Sequence, residues 1–123
     1  MATKNSKTGK DIFAQAQRNE DFFLRVYAIV SQIPFGMVST YGHIGRALGL
    51  RSAARMVGWA RKSSPPDTEI PCHRVVNRNG ELTGSVHFAT PTLMRELLEA
   101  EGVEFMREAV NMKKHLWIPP FEE

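Results

Sequence analysis

The chain has 123 residues, 42% of them hydrophobic, which is enough for one domain with a modest core. Its 16 basic and 13 acidic residues leave a net charge of +3, compatible with nucleic acid without demanding it. No stretch approaches the ~18 consecutive apolar residues of a membrane span and no apolar leader opens the sequence, so a cytoplasmic protein that does not enter a membrane is expected. One cysteine and four scattered histidines, without a Cys-x-x-Cys pair, argue against a structural zinc site.

Residues 1–18 are polar and carry Lys4, Lys7 and Lys10; they read as a basic arm, solvated or touching phosphates. Asn19 is placed to cap a helix whose first turn holds Glu20 and Asp21. Phe23, Val26, Tyr27, Val30 and Ile33 recur at helical spacing, which predicts a helix over 20–33 that buries one face and stops at Pro34 and Gly36. Thr40 is the next cap. It opens a short helix in which Tyr41, Ile44 and Leu48 share a face and which Gly49 closes. Ser52 caps a second short helix over 53–62, and two short helices joined by a glycine-containing turn match the helix-turn-helix outline. Arg51 and Arg55 project from a similar face. Ala53, Ala54, Gly58 and Ala60 are small enough to let that backbone approach a groove wall, which favours DNA docking over a plain solvated face.

Residues 63–69 form a loop that delivers the chain to Ile70-Pro71-Cys72-His73-Arg74-Val75-Val76. Pro71 fixes the backbone entering Cys72 and disfavours helix at Ile70, so the thiol is expected on a rigid extended segment. His73 can accept or relay a proton near neutral pH, and Arg74 adds a positive charge that favours thiolate. A lone cysteine is commonly a buried structural residue; these neighbours favour a reactive one. Residues 74–76 and 81–83 flank a turn with Asn79-Gly80 and read as a small hairpin. Thr90 caps and Pro91 opens a last helix with Leu93, Met94, Leu97 and Leu98 as its buried stripe and Gly102 just beyond its end. In the tail, Leu116, Trp117 and Ile118 are expected to cover the core before Pro119-Pro120. No internal repeat or second domain is visible, so the organisation expected is an arm over 1–18, one domain over 19–118 and a tail over 119–123.

Assembled, these pieces resemble the DNA-binding, active-site domain of the O6-alkylguanine-DNA alkyltransferases and their shorter relatives, the alkyltransferase-like proteins. The residues that carry the resemblance are Ile-Pro-Cys-His-Arg-Val-Val (70–76), Val38-Ser39-Thr40-Tyr41-Gly42, Ala54-Arg55-Met56-Val57-Gly58, and Glu101-Gly102 closing a leucine-rich helix; they cover roughly residues 20–105. The resemblance implies a mainly α fold with a small β-hairpin and a winged helix-turn-helix-like DNA surface. It also implies a protein, expected to be a monomer, that turns a damaged guanine out of duplex DNA and moves its O6-alkyl group onto the cysteine, once per molecule and without metal or organic cofactor.

By that resemblance Cys72 is the nucleophile, His73 the base acting through a water, and Glu101 the carboxylate that orients the histidine. Tyr41, Ser64, Arg74 and Ser85 are the expected substrate-pocket residues. Thr40, Tyr41, Arg51, Ser52, Ala53, Ala54, Arg55 and Gly58 are the expected DNA-binding residues, Arg55 filling the place vacated by the turned-out base. The chain departs from the family pattern in two places. Ser64 stands where the family has an asparagine that braces the cysteine segment. Gly84-Ser85-Val86-His87-Phe88 replaces the family's Gly-Tyr-Ser/Ala-Gly-Gly loop, and the connection to Glu101 is about two residues longer. The short length and altered loop resemble the alkyltransferase-like proteins, which usually carry tryptophan in place of the cysteine, bind the lesion without transfer and hand it to nucleotide excision repair. A non-enzymatic lesion sensor is therefore the alternative, and a plain helix-turn-helix regulator a third reading that leaves Pro71-Cys72-His73-Arg74 unexplained.

Overall fold

The computed structural model describes residues 22–49 and 70–120. The basic arm, the Asn19 cap, the second short helix with Arg51, Ser52, Ala53, Ala54, Arg55 and Gly58, the loop with Ser64, and the last three residues lie outside them.

The first helix, α1 (22–30), buries Phe22, Val26, Ile29 and Val30, with Phe23 and Tyr27 half-buried at its flank. The buried face is thus turned slightly from the predicted one, taking in Phe22 and Ile29. Pro34 ends the run, and a turn follows in which the Met37 N–H donates to Pro34 O at 3.0 Å and Gly36 sits at φ +83°. A positive φ at the third position is what a type II turn requires and what glycine adopts without a Cβ clash.

Strand β1 (Ser39–Thr40) leads into α2 (Tyr41–Ala47), where the Thr40 hydroxyl caps the helix by accepting the His43 N–H at 3.0 Å. Ile44 is fully buried, Tyr41 and Leu48 pack beside it, and the Gly49 N–H closes the helix on Arg46 O.

After the undescribed stretch the chain re-enters at Ile70. The expectation of an extended segment at the thiol is corrected here. Pro71 lies at φ −79°, ψ 67°, and the Cys72 N–H donates to Ile70 O at 2.8 Å, which is an inverse γ-turn. Cys72–Arg74 then form one 3-10 turn, with the Arg74 N–H on Pro71 O. Proline sets φ for both conformations, so its fixed φ alone did not decide between them.

Strand β2 (Val75–Val76) pairs in parallel with β1, Ser39 beside Val75 and Thr40 beside Val76. Successive strand residues face opposite ways, and these two valines enter different cores. Val75 joins Phe22, Val26, Ile29, Val30, Ile33 and Ile44; Val76 joins Val38, Met94, Leu98, Val103 and Val110. The turn bearing the thiol is thereby pinned between two packed layers.

The predicted hairpin between 74–76 and 81–83 is also corrected. Its turn exists, with Asn77 Oδ1 accepting from the Asn79 and Glu81 N–H groups, but Val75 and Val76 pair with β1. Glu81 bridges Ala109 instead, and Thr83–His87 wind into a second 3-10 turn. The small hairpin of the fold lies further on, between β3 (Phe105–Met106) and β4 (Ala109–Val110).

Helix α3 (Leu93–Ala100) starts two residues later than predicted, after a turn over Thr90, Pro91 and Thr92, and it buries Met94 and Leu98; Leu97 is exposed. It ends in a Schellman motif: the Gly102 N–H donates to Glu99 O at 2.9 Å, the Val103 N–H to Leu98 O at 3.0 Å, and Val103 packs with Leu98. Helix α4 (Met112–His115) follows β4, after which Leu116 bridges Val38 and Trp117 packs on the first core. Ile118, expected to cover the core, is exposed, and Pro119 is buried in its stead.

Candidate active site

The site is built where three chain segments meet: the turn after α1, the 3-10 turn of Cys72, and the end of α3. Glu101 is the C-cap of α3, and the Schellman motif fixes where its side chain begins. Its Oε2 lies 2.7 Å from His73 Nε2. Arg74 donates to it through Nε at 3.0 Å to Oε1 and through Nη2 at 2.8 Å to Oε2, a two-pronged grip. The Gly36 N–H donates to Oε1 at 2.9 Å, and Arg74 Nη1 reaches Ile33 O at 2.8 Å. One carboxylate thus ties the turn over 33–36, the cysteine turn and the helix end together.

The electrostatics follow from that arrangement. Burial pushes the Glu101 carboxyl up, but hydrogen bonds from Arg74, Gly36 and His73 outweigh it and hold the group at about 2 against an ordinary 4.5. Glu101 is therefore ionised at neutral pH, and an ionised carboxylate only accepts, so His73 donates its Nε2–H. Its Nδ1 is then the basic nitrogen of the neutral ring. The Arg74 guanidinium lies 5.8 Å from the centroid of the largely exposed Phe35 ring, within cation–π reach.

The structure brings His73, Arg74 and Glu101 into one hydrogen-bonded cluster directly after Cys72 in the chain. Cys72 itself is half-buried. Arg74, expected in the substrate pocket, is turned to Glu101 and Ile33 and braces the carboxylate instead. Thr40, expected at the DNA, is 5% exposed with its hydroxyl spent on the α2 cap. Tyr41 is half-buried against the first core. Ser85, in the second 3-10 turn, lines a cavity of about 390 Å³ with Thr92, Arg95 and Glu108, whose walls include neither Cys72 nor Tyr41.

Three contributors escaped the sequence reading. The Gly36 N–H and Ile33 O are backbone groups, signalled only by Pro34-Phe35-Gly36, which reads as a helix stop. Tyr27 reads as core from its spacing. Burial raises its phenol pKa and the charge of Cys72 raises it further, which puts it in the electrostatic neighbourhood of the thiol. Among the described residues no group of three His, Cys, Asp or Glu side chains is placed to hold a metal ion, and no helix is long and apolar enough to cross a membrane.

Residues 21–103 match the family model described as the 6-O-methylguanine DNA methyltransferase, DNA binding domain. The chain belongs to that family. The family domain spans α1 through the helix end that carries Glu101. Alkyltransferase-like protein 1 of Schizosaccharomyces pombe is 38% identical over 107 residues, which covers 83% of this chain and 99% of that protein. The methylated-DNA–protein-cysteine methyltransferase of Methanosarcina acetivorans is 38% identical over 88 residues, covering 71% of this chain and 54% of the relative, so the chain spans about half of that enzyme. The crystal structure of S. pombe Atl1 in complex with damaged DNA containing O6-carboxymethylguanine superposes with a TM-score of 0.71 at 38% identity, covering 81% of this chain and 97% of that one. This likeness bears out the mainly α, winged helix-turn-helix-like fold class. Relatives of both kinds, alkyltransferase-like proteins and methyltransferases, thus share this domain.

Proposed function

We propose that this chain recognises O6-alkylguanine in duplex DNA, turns the damaged base out of the stack and transfers its alkyl group irreversibly to Cys72. The observation that carries the reading is a thiol followed directly by a histidine whose ring lies 2.7 Å from a carboxylate held ionised by Arg74 and Gly36. A free thiol with pKa near ~8.5 is only a few per cent thiolate at neutral pH, so it gains from a positioned base.

In this reading Cys72 gives its proton, through a water, to His73 Nδ1, and Glu101 stabilises the imidazolium that results. The Sγ atom attacks the alkyl carbon. The S–C bond forms as the C–O6 bond breaks, the electron pair stays on the guanine, Tyr41 donates a hydrogen bond to the base, and the proton held on His73 passes through water to the departing guanine. The products are a thioether on Cys72 and ordinary guanine, so each molecule acts once and no metal or organic cofactor is consumed. Arg55 enters the vacated stack and offsets part of an unstacking cost of a few kcal/mol. The resemblance assigns the DNA contacts to Arg51, Ser52, Ala53, Ala54 and Gly58 and the bracing role to Ser64, whereas Thr40 serves the helix cap and Ser85 lines a separate cavity.

The second reading is a sensor that binds the lesion without transfer and passes it to nucleotide excision repair. It is favoured by the overlap with nearly the whole of the S. pombe alkyltransferase-like protein. Cys72→Ala separates the roles. Incubated with a duplex carrying a radiolabelled O6-methylguanine, the variant is expected to bind as tightly as the parent at matched salt and to take up no label. Label on the variant would overturn the assignment of the nucleophile.

A further inference from the structure

His115 lies beyond the family match, in the last described helix, and only 6% of it is exposed. Both of its ring nitrogens are engaged with backbone. Nε2 is 3.0 Å from the Glu104 nitrogen, and Nδ1 is 2.9 Å from Gly36 O. A backbone N–H can only donate and a carbonyl can only accept, so the ring is the neutral tautomer with its proton on Nδ1. The element around it is fastened as well: the Val38 N–H donates to His115 O at 2.9 Å and the Trp117 N–H to Val38 O at 2.7 Å.

The carbonyl that His115 grips belongs to the same residue whose N–H holds Glu101. Gly36 has no side chain to anchor it, and at φ +83° it occupies a region where its backbone angles are set by what its N–H and C=O are bonded to. A Cβ there would sit 3.3 Å from Glu101 O, so the glycine also packs directly on the helix end. Contacts run without a break from the Glu104 N–H through His115, Gly36 and Glu101 to His73, the neighbour of Cys72.

We infer that His115 is a positioning residue for the cysteine centre: by holding the Gly36 carbonyl it sets the direction of the Gly36 N–H, and so the seat of the Glu101 carboxylate that orients His73. The inference rests on the reading of Cys72 as a thiol activated through His73. It makes the C-terminal segment, whose Trp117 packs on the first core, part of the reactive site as well.

The two ring nitrogens supply the test. His115→Asn places an amide where Nδ1 stands and keeps a donor for Gly36 O while losing the contact to Glu104. His115→Gln places it where Nε2 stands and keeps the Glu104 contact while losing Gly36. Each variant drops one hydrogen bond, so a purely structural role predicts equal effects. The readout is the rate at which iodoacetamide alkylates Cys72, the chain's single thiol, followed by intact mass at a temperature where both variants are folded. His115→Asn is expected to react within threefold of the parent, and His115→Gln about tenfold slower, in line with the cost of misplacing a reactive group's support. Methyl transfer from an O6-methylguanine duplex should follow the same order, with duplex affinity within twofold throughout. Equal rates in both variants, or slowing that tracks lost melting temperature alone, would overturn the inference. If the parent takes up no methyl group, the transfer reading falls by itself, while the iodoacetamide rates still decide the role of His115.

Discussion

The Glu101 carboxylate accepts from Arg74 Nε and Nη2, from the Gly36 N–H and from His73, so nearly every lone pair is used. An amide in its place has one accepting oxygen and an NH₂ that must face a donor. Glu101→Gln should therefore loosen both the arginine grip and the His73 ring. We expect alkyl transfer to fall by roughly 100-fold, the order by which a positioned proton acceptor speeds a reaction, with little change in affinity for the lesion duplex. Single-turnover rates beside equilibrium binding would check this. A variant that lost binding and rate in equal measure would point to a role in the DNA contact. A cationic residue next to a thiol reads as a direct stabiliser of thiolate, yet here the Arg74 guanidinium is committed to Glu101 and Ile33 O.

At the scale of elements, the end of α3 decides where Glu101 sits. Gly102 lies at φ +88° with nothing within 4 Å of where a Cβ would be, so Gly102→Ala meets no neighbour and its cost is backbone strain alone. That cost is about 1–2 kcal/mol. It should appear as a lower denaturant midpoint with an unchanged slope, together with slower transfer because the Schellman turn carries Glu101; a variant as stable and as fast as the parent would contradict this placement. The elements also show what the sequence could and could not tell. Helices α1 and α2, the Thr40 cap and the Gly102 stop were legible because apolar spacing and cap chemistry are local signals. The true hairpin was not: its turn carries Arg107 at φ +64°, where glycine or asparagine would be the usual marker. Asn79-Gly80 did make a turn, but the partner of Val75 and Val76 proved to be β1, a parallel pairing across more than thirty residues that no local pattern announces. The reactive cluster was legible as residue types; its backbone members at Ile33 and Gly36, and His115 far along the chain, were not.

For the molecule as a whole, the site and the stability are coupled through one ionisation. Glu101 titrates at about 2 in the folded chain and near 4.5 when unfolded, so ionised Glu101 favours folding. The sign follows: a depressed carboxylate pKa contributes stability that is fully present above about pH 4.5 and is lost as the pH falls towards 2. The gap amounts to roughly 3 kcal/mol. The difference in unfolding free energy between the parent and Glu101→Gln should therefore shrink across that window, as urea titrations at several pH values would show; a constant difference would contradict it. The same carboxylate joins the turn after α1, the cysteine turn and the end of α3, which is why loss of the ion pair at low pH should loosen the reactive site and the fold together.

The most direct measurement is the intact mass of the protein after incubation with a duplex containing O6-methylguanine. The account predicts a gain of one methyl group per chain, localised to Cys72 by peptide mapping and saturating at one equivalent. An unchanged mass together with tight, lesion-selective binding would contradict transfer and leave the sensor.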